Sequence, residues 1–314
     1  MGNSEAAIER RGLLVDRYRS IRKQADDRVG SKSQILGSMI GLKQRSGEVT
    51  NRVSLQFIVP KKTPDEQLEP KERIPKTITV DGNRVGTDVI EWPDMEEQSL
   101  PKPYIIHDGL SQGTLTCFAR TQLGTFGLTC GHCLLGQDGK PSTPTLVKIY
   151  HPNAGFVPAG QSIMSLFMPG SPASGQGYID CGLFSLPPNL QTLAQSAEEI
   201  PSVPDAKTLL GQPILGYSML KAPTSPNAPP IRKGTVIAID QKALNAQSDL
   251  VIKVSKPGTF RGDSGMLWID AFGRAAGIHC RGQIVPQGYG SPLTTSMLIS
   301  RAAALLGVEL VWGN

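Results

Sequence analysis

The chain has 314 residues, 39% of them apolar and 19% charged, with 34 Gly and 25 Pro, a mixture suited to a globular protein of many short elements and turns. It excludes a coiled coil and a mostly disordered chain, and no apolar run approaches the roughly 20 residues that a bilayer-spanning helix needs. The formal net charge of +5 is unevenly placed: residues 1–45 hold ten Lys/Arg against five Asp/Glu, and charged side chains thin out beyond about residue 105.

From Glu5 to Val29 the residues Leu14, Tyr18, Ile21, Ala25 and Val29 recur at helical spacing, with arginines on the opposite side, which predicts a basic amphipathic helix. Such a helix either packs on its own domain or meets a partner protein, lipid or nucleic acid; no aromatic interleaving points to nucleic acid. The N-terminus lacks the apolar core and cleavage site of a secretory signal, so a cytoplasmic location is expected. Residues 52–60 alternate as a strand and 84–92 as a second. Between them Thr63-Pro64-Asp65-Glu66 resembles a helix start, predicting a short helix to Glu72. A polar, Pro-rich linker occupies 93–103. Beyond residue 104 short β-type runs separated by Gly, Pro and Asn predict a sandwich or pair of barrels, and 293–306 reads as a closing helix capped by Gly307.

The chemistry concentrates in three places. His132 lies in LTCGHCLL, Ser264 in FRGDSGMLW, and a serine hydroxyl becomes a good nucleophile when an imidazole takes its proton and a carboxylate orients that imidazole. Asp180, opening the apolar run DCGLFSL, fits the carboxylate role best; Asp138 is nearer in sequence but sits in a turn-like QDGKP stretch. The N–H groups of Gly262 and Ser264 are candidates to hold an oxyanion, with glycines reaching the backbone angles this requires. His107 and His151 precede turn-like residues and are expected at the surface. Five cysteines, an odd number without a secretion signal, favour free thiols, and no metal or cofactor is implied.

LTCGHC resembles the histidine motif of chymotrypsin-like serine peptidases, DCGLF their aspartate motif and GDSG their nucleophile motif, in the family's order. The N-terminal VSLQFIVPKK and TDVIEW and the C-terminal LLGVELVW resemble a narrower group, the intracellular bacterial trypsin-like proteins and plant narrow-leaf-type peptidases. The chymotrypsin-like resemblance carried by the three motifs covers residues 105–314. It implies a facing pair of Cys117 and Cys133, and a specificity pocket built in part by Thr259 and His279. That pair is similar to the pocket of glutamyl endopeptidases and picornavirus-type proteases, which accept Glu or Gln, because a hydroxyl and an imidazole both donate to a side-chain oxygen. Arg281 would add positive charge there or face solvent; His279 is otherwise a core histidine satisfied by a carbonyl. Gly258 stands where cleavage after basic residues would want Asp. Two departures stand out: Phe260 replaces a cysteine of secreted members, and Met266 replaces a small residue behind the nucleophile. No IVGG-like start follows a basic residue, so activation by a new N-terminus inserted against Asp263 is not expected.

The reading is therefore a mainly β protein, a chymotrypsin-like double β-barrel with an N-terminal helix, a small α/β module and a C-terminal helix. Its pieces are a basic amphipathic helical segment (1–45), the α/β module and linker (46–103), a first barrel with the histidine and aspartate (104–205) and a second with the serine and C-terminal helix (206–314). The function implied is a serine endopeptidase acting on protein or peptide substrates by a Ser-His-Asp acyl-enzyme route, with an inactive peptidase-like interaction module as the alternative. The N-terminal region would meet a partner or restrain the enzyme until self-cleavage frees it.

Overall fold

The computed structural model of the chain describes residues 5–29, 34–97, 105–107, 111–136, 140, 146–151, 155–168, 178–218, 231–243, 246–286 and 289–312. Helix α1 (Glu5–Val29) buries Val15, Tyr18, Ile21, Ala25 and Val29; Val15 takes the inward place expected of Leu14, which is exposed. The arginine-rich side is a docking face. Arg11 and Arg22 are buried and donate to the carbonyls of Leu210, Ser38 and Asp240. The Arg19 guanidinium spans Asp205 at 2.9 Å and Asp240 at 2.6 Å. Long guanidinium stems pack along apolar surface while their five donors find oxygens, which lets a charged side face inward.

Strands β1 (Gly37–Arg45) and β2 (Glu48–Val59) form a hairpin in which Ser46 and Gly47 both have positive φ, 49° and 81°, the turn geometry that matches strand twist. β1 falls within the segment read from sequence as helical. The expected helix at 63–72 is instead a single 3-10 turn, Asp65–Gln67, because Leu68 is the only large apolar residue between Thr63 and Glu72 and no face exists to bury. A second hairpin, β3 (Thr77–Val80) and β4 (Asn83–Glu91), follows, with β4 parallel to β2.

The chain continues through β5 (Met95–Glu97), β6 (Ile105–His107), β7 (Ser111–Gly113), β8 (Cys117–Thr121), β9 (Gly124–Thr129), β10 (Leu146–His151), β11 (Gly155–Met168), β12 (Ile179–Ser185), helix α2 (Pro188–Ser196) and β13 (Glu198–Glu199). Then come β14 (Pro213–Tyr217), β15 (Ile231–Ala243), β16 (Ala246–Val254), β17 (Leu267–Asp270), β18 (Ala275–Gln283), β19 (Leu293–Leu298), helix α3 (Ile299–Leu306) and β20 (Glu309–Trp312). The stretch read as one closing helix is thus β19 followed by the shorter α3. Thr294, Thr295 and Ser296 are buried in the ladder with β16 and β18, and Gly307, at φ 64°, ends the helix.

The protein is mainly β, as the sequence indicates. Strands β14, β17, β18, β19, β16 and β15 close into a six-stranded barrel, because β14 pairs with β15 as well as β17. β1, β2, β4 and β3 extend the barrel's sheet from β15, so the N-terminal strands are continuous with the second barrel. A nine-stranded sheet runs β13-β20-β8-β9-β12-β11-β10-β6-β7, and β20 ties the C-terminus back to β8. One buried cluster joins the two bodies, with Cys117, Leu128, Cys130, Cys133 and Cys181 packed with Leu267, Ile278, Cys280 and Met297. All five cysteines are buried free thiols, Cys117 and Cys133 included. Among the described residues no helix is long and apolar enough to cross a membrane.

Candidate active site

His132 sits in a 3-10 turn, Gly131–Leu134, directly after β9. The turn lies against β11: a Cβ added at Gly131 would fall 2.4 Å from the Leu166 carbonyl oxygen. Asp180, the second residue of β12, has no exposed surface. Its Oδ1 accepts the His132 backbone N–H at 2.9 Å, and its Oδ2 accepts His132 Nδ1 at 2.6 Å and the Tyr178 hydroxyl at 2.7 Å. On the other side of the ring, His132 Nε2 lies 2.9 Å from Ser264 Oγ. One imidazole thus bridges a fixed carboxylate and a hydroxyl. Burial by itself would raise the Asp180 pKa, but the His132 charge and hydrogen bonds bring it below the ordinary carboxylate value. Burial likewise would lower the His132 pKa, and the facing Asp180 charge carries it well above the ordinary imidazole value. The rival carboxylate, Asp138, lies outside the described residues.

The loop carrying Ser264 depends on two left-handed glycines, Gly262 at φ 100° and Gly265 at φ 91°. A Cβ on Gly265 would come within 2.0 Å of the Thr114 carbonyl oxygen, so the loop packs backbone to backbone against the segment that follows β7. Thr114 N–H donates to the Ser264 carbonyl at 2.6 Å and its hydroxyl to the Gly262 carbonyl at 2.9 Å. Within the loop, Asp263 N–H turns inward to the Phe260 carbonyl and Gly265 N–H to the His279 carbonyl. The N–H groups of Gly262 and Ser264 make no such bond among the described residues.

Asp263 is fully buried and already engaged. Its carboxylate takes the Arg232 guanidinium at 3.2 Å, the Phe260 N–H at 2.9 Å and the Ser218 hydroxyl. Arg232, itself wholly buried, also lies over the Phe260 ring at 5.2 Å, so the residue at the position of the missing cysteine is held by a cation. The Asp263 carboxylate is thus paired with a cation from within the chain. Met266 is accommodated by a glycine opposite: a Cβ on Gly216 would sit 2.7 Å from its Cε.

Thr259 and His279 are both completely buried. Burial, with the positive charges of His132 and Arg232, holds His279 down to about 3, so its imidazole is neutral. Arg281 is buried, with its guanidinium 4.1 Å above the Tyr178 ring, where it stacks instead of facing solvent. His107 ends β6 and His151 ends β10. Behind His132 the thiols of Cys130 and Cys280 and the Asp180 carboxylate come within 4.8 Å of one another; the two thiols donate to the carbonyls of His279 and Ile278. Sequence reasoning missed Tyr178, Arg232, Cys280 and Thr114. Tyr178 was within reach, since residues two apart near a strand share a face with Asp180. Arg232 carries no local signal, because its partner lies 31 residues away.

No protein-family model and no curated protein matches the sequence. Among solved structures, the chain is similar to Thermobifida fusca protease A, at 18% identity and a TM-score of 0.40 over 64% of this chain and 92% of that one. It is also similar to a glutamic acid specific serine protease, at 17% identity and a TM-score of 0.42, covering 66% and 96%. A homologue of alpha-lytic protease gives 12% identity and 0.39, covering 65% and 95%.

Proposed function

We propose that the chain is a serine endopeptidase in which Ser264 attacks a peptide carbonyl and His132 moves the proton. The observation that carries this reading is the imidazole of His132 held 2.6 Å from Asp180 and 2.9 Å from Ser264. Asp180 fixes the tautomer that leaves Nε2 facing Ser264 and stabilises the imidazolium that forms. Tyr178 and the His132 backbone N–H hold the carboxylate in turn. The N–H groups of Gly262 and Ser264 would receive the oxyanion, as preorganised donors with no competing partner among the described residues. Arg232 keeps Asp263, and so the loop, in place without a newly cut N-terminus.

The preference for Glu or Gln before the scissile bond rests on Thr259 and His279. A buried neutral imidazole has one N–H to donate and the Thr259 hydroxyl offers another donor, a pair of groups that would suit a side-chain carbonyl oxygen. A cytoplasmic location is favoured by five free, buried thiols. Cleavage of a peptide library by the wild type, compared with Ser264→Ala, tests both levels. Loss of all cleavage in the variant with cuts after Gln or Glu in the wild type is the expected result. Full activity in Ser264→Ala would sink the mechanism, and cuts mainly after Arg, Lys or Phe would sink the specificity alone.

A further inference from the structure

His279 and Arg281 stand two apart on β18, a spacing that in a regular strand turns both side chains to one face. β18 is not regular there. His279 pairs with Ser296 of β19 and Arg281 with the adjacent Thr295, so Cys280 is an extra residue in the ladder. Such a bulge overturns the alternation and re-aims the side chain that follows it. The His279 ring meets Trp268 at 6.1 Å, inside the body that carries Ser264. The Arg281 guanidinium lies instead 4.1 Å above the ring of Tyr178, in the body that carries His132 and Asp180. Tyr178 is buried and held from several directions. Its hydroxyl donates to Asp180 Oδ2 at 2.7 Å. Its ring meets Phe167 edge-on at 6.4 Å, and Phe167 in turn meets the His132 ring at 5.9 Å. Its carbonyl accepts Arg301 of α3, which Asp249 holds at 2.9 Å.

We propose that Arg281 is a positioning residue for the His132–Asp180 pair, acting through Tyr178, and that it takes no part in binding the substrate side chain. The inference rests on the peptidase reading above and deepens it. A cation over an aromatic face is attracted by the ring's negative quadrupole, most strongly where water is excluded, and both partners here are buried. That attraction fixes the plane of the ring and so the line along which the phenol O–H points at Asp180. It also draws electron density from the ring, which makes the phenol a stronger donor. The carboxylate is then held at Oδ1 by the His132 backbone N–H and at Oδ2 by the phenol, and it presents Oδ2 to His132 Nδ1 in one orientation. Asp180 and Ser264 come from different bodies. The strand that carries Arg281 also accepts Gly265 N–H at the His279 carbonyl, 2.8 Å away, so one short stretch of β18 registers the carboxylate and the serine loop against each other.

Steady-state hydrolysis of a Gln-containing and a Glu-containing peptide by the full chain tests this. Arg281→Met is expected to lower kcat about tenfold with KM within about twofold, equally for both peptides. Arg281→Lys, which keeps a cation over the ring, should recover most of the loss. Tyr178→Phe should fall by a similar factor, and Arg281→Met/Tyr178→Phe should be no slower than Tyr178→Phe alone, because both changes act through one hydroxyl. A raised KM with kcat intact, a loss confined to the Glu peptide, or effects that multiply in the double variant would give Arg281 to substrate binding and overturn the proposal. If Arg281→Met does not fold, Arg281→Gln takes its place in each comparison. Proton NMR reads the pair without turnover, since the proton between His132 Nδ1 and Asp180 resonates far downfield. The signal should be sharp in the wild type and Arg281→Lys, and broadened or lost in Arg281→Met and Tyr178→Phe. A wild type that cleaves neither peptide defeats the peptidase reading alone; a signal unchanged in Arg281→Met defeats the positioning role, whatever the activity.

Discussion

Replacing Arg232 with methionine removes the one cation among the described residues that is bonded to the Asp263 carboxylate, which has no access to water. Arg232 and Asp263 both have side chains with no exposed surface, and the guanidinium lies 3.2 Å from the carboxylate. Methionine keeps much of the volume over the Phe260 ring, so the loss is mainly electrostatic. Removing one partner of a buried pair costs about 3–5 kcal/mol, because the other charge is left uncompensated, and for a chain of this size that lowers the melting temperature by roughly 5–8 °C. Burial already raises the Asp263 pKa, and losing Arg232 raises it further. A carboxyl whose folded pKa exceeds its unfolded value binds more protons when folded, so the variant's deficit against wild type should shrink as pH falls toward the unfolded value. Urea titrations at several pH values measure this directly, and Arg232→Met/Asp263→Asn should recover much of the loss. A single variant within about 1 kcal/mol of wild type at neutral pH, or a double variant no better than the single, would refute the reasoning.

Three further outcomes follow from the site. Since Asp180 raises the His132 pKa and His132 must be neutral to accept the Ser264 proton, the acid limb of kcat/KM should lie above the ordinary imidazole value of about 6.5. Asp180→Asn should move that limb down and cut the rate about ten-thousandfold; an unshifted limb counts against the pairing. His279, held down to about 3, binds protons more readily unfolded than folded. It should therefore remove on the order of 4 kcal/mol of stability as pH falls from about 6.5 toward 3, and His279→Phe should flatten that slope in denaturation series; parallel curves would contradict it. Gly265→Ala forces a Cβ against the Thr114 carbonyl oxygen at φ 91°, so it should cost about 3 kcal/mol or more and abolish peptidase activity, with a folded, active variant the contrary result.

How far the sequence speaks depends on whether a residue's partner is local. His132 and Ser264 stand in motifs whose glycines have visible backbone duties, at Gly131 against Leu166 and Gly265 against Thr114, and Asp180 was recognisable as the carboxylate opening an apolar strand. The sequence of α1 leaves open whether its arginines meet the chain itself or a partner, because their oxygen partners, Asp205, Asp240 and Leu210, lie more than 180 residues along the chain. β5 was read as linker for the same reason: Met95, Glu96 and Glu97 carry no strand signal of their own and are extended by pairing with β18. In 293–298 the Thr-Thr-Ser run should have weighed against helix, since two adjacent β-branched residues favour a strand.

The central claim, that Ser264 is the nucleophile activated by His132, is tested most directly by intact mass after exposure to a fluorophosphonate. The account predicts one covalent adduct, mapped to Ser264, absent from Ser264→Ala and strongly slowed in His132→Ala. No adduct at Ser264 in the wild type, or an adduct that persists in Ser264→Ala, would contradict it.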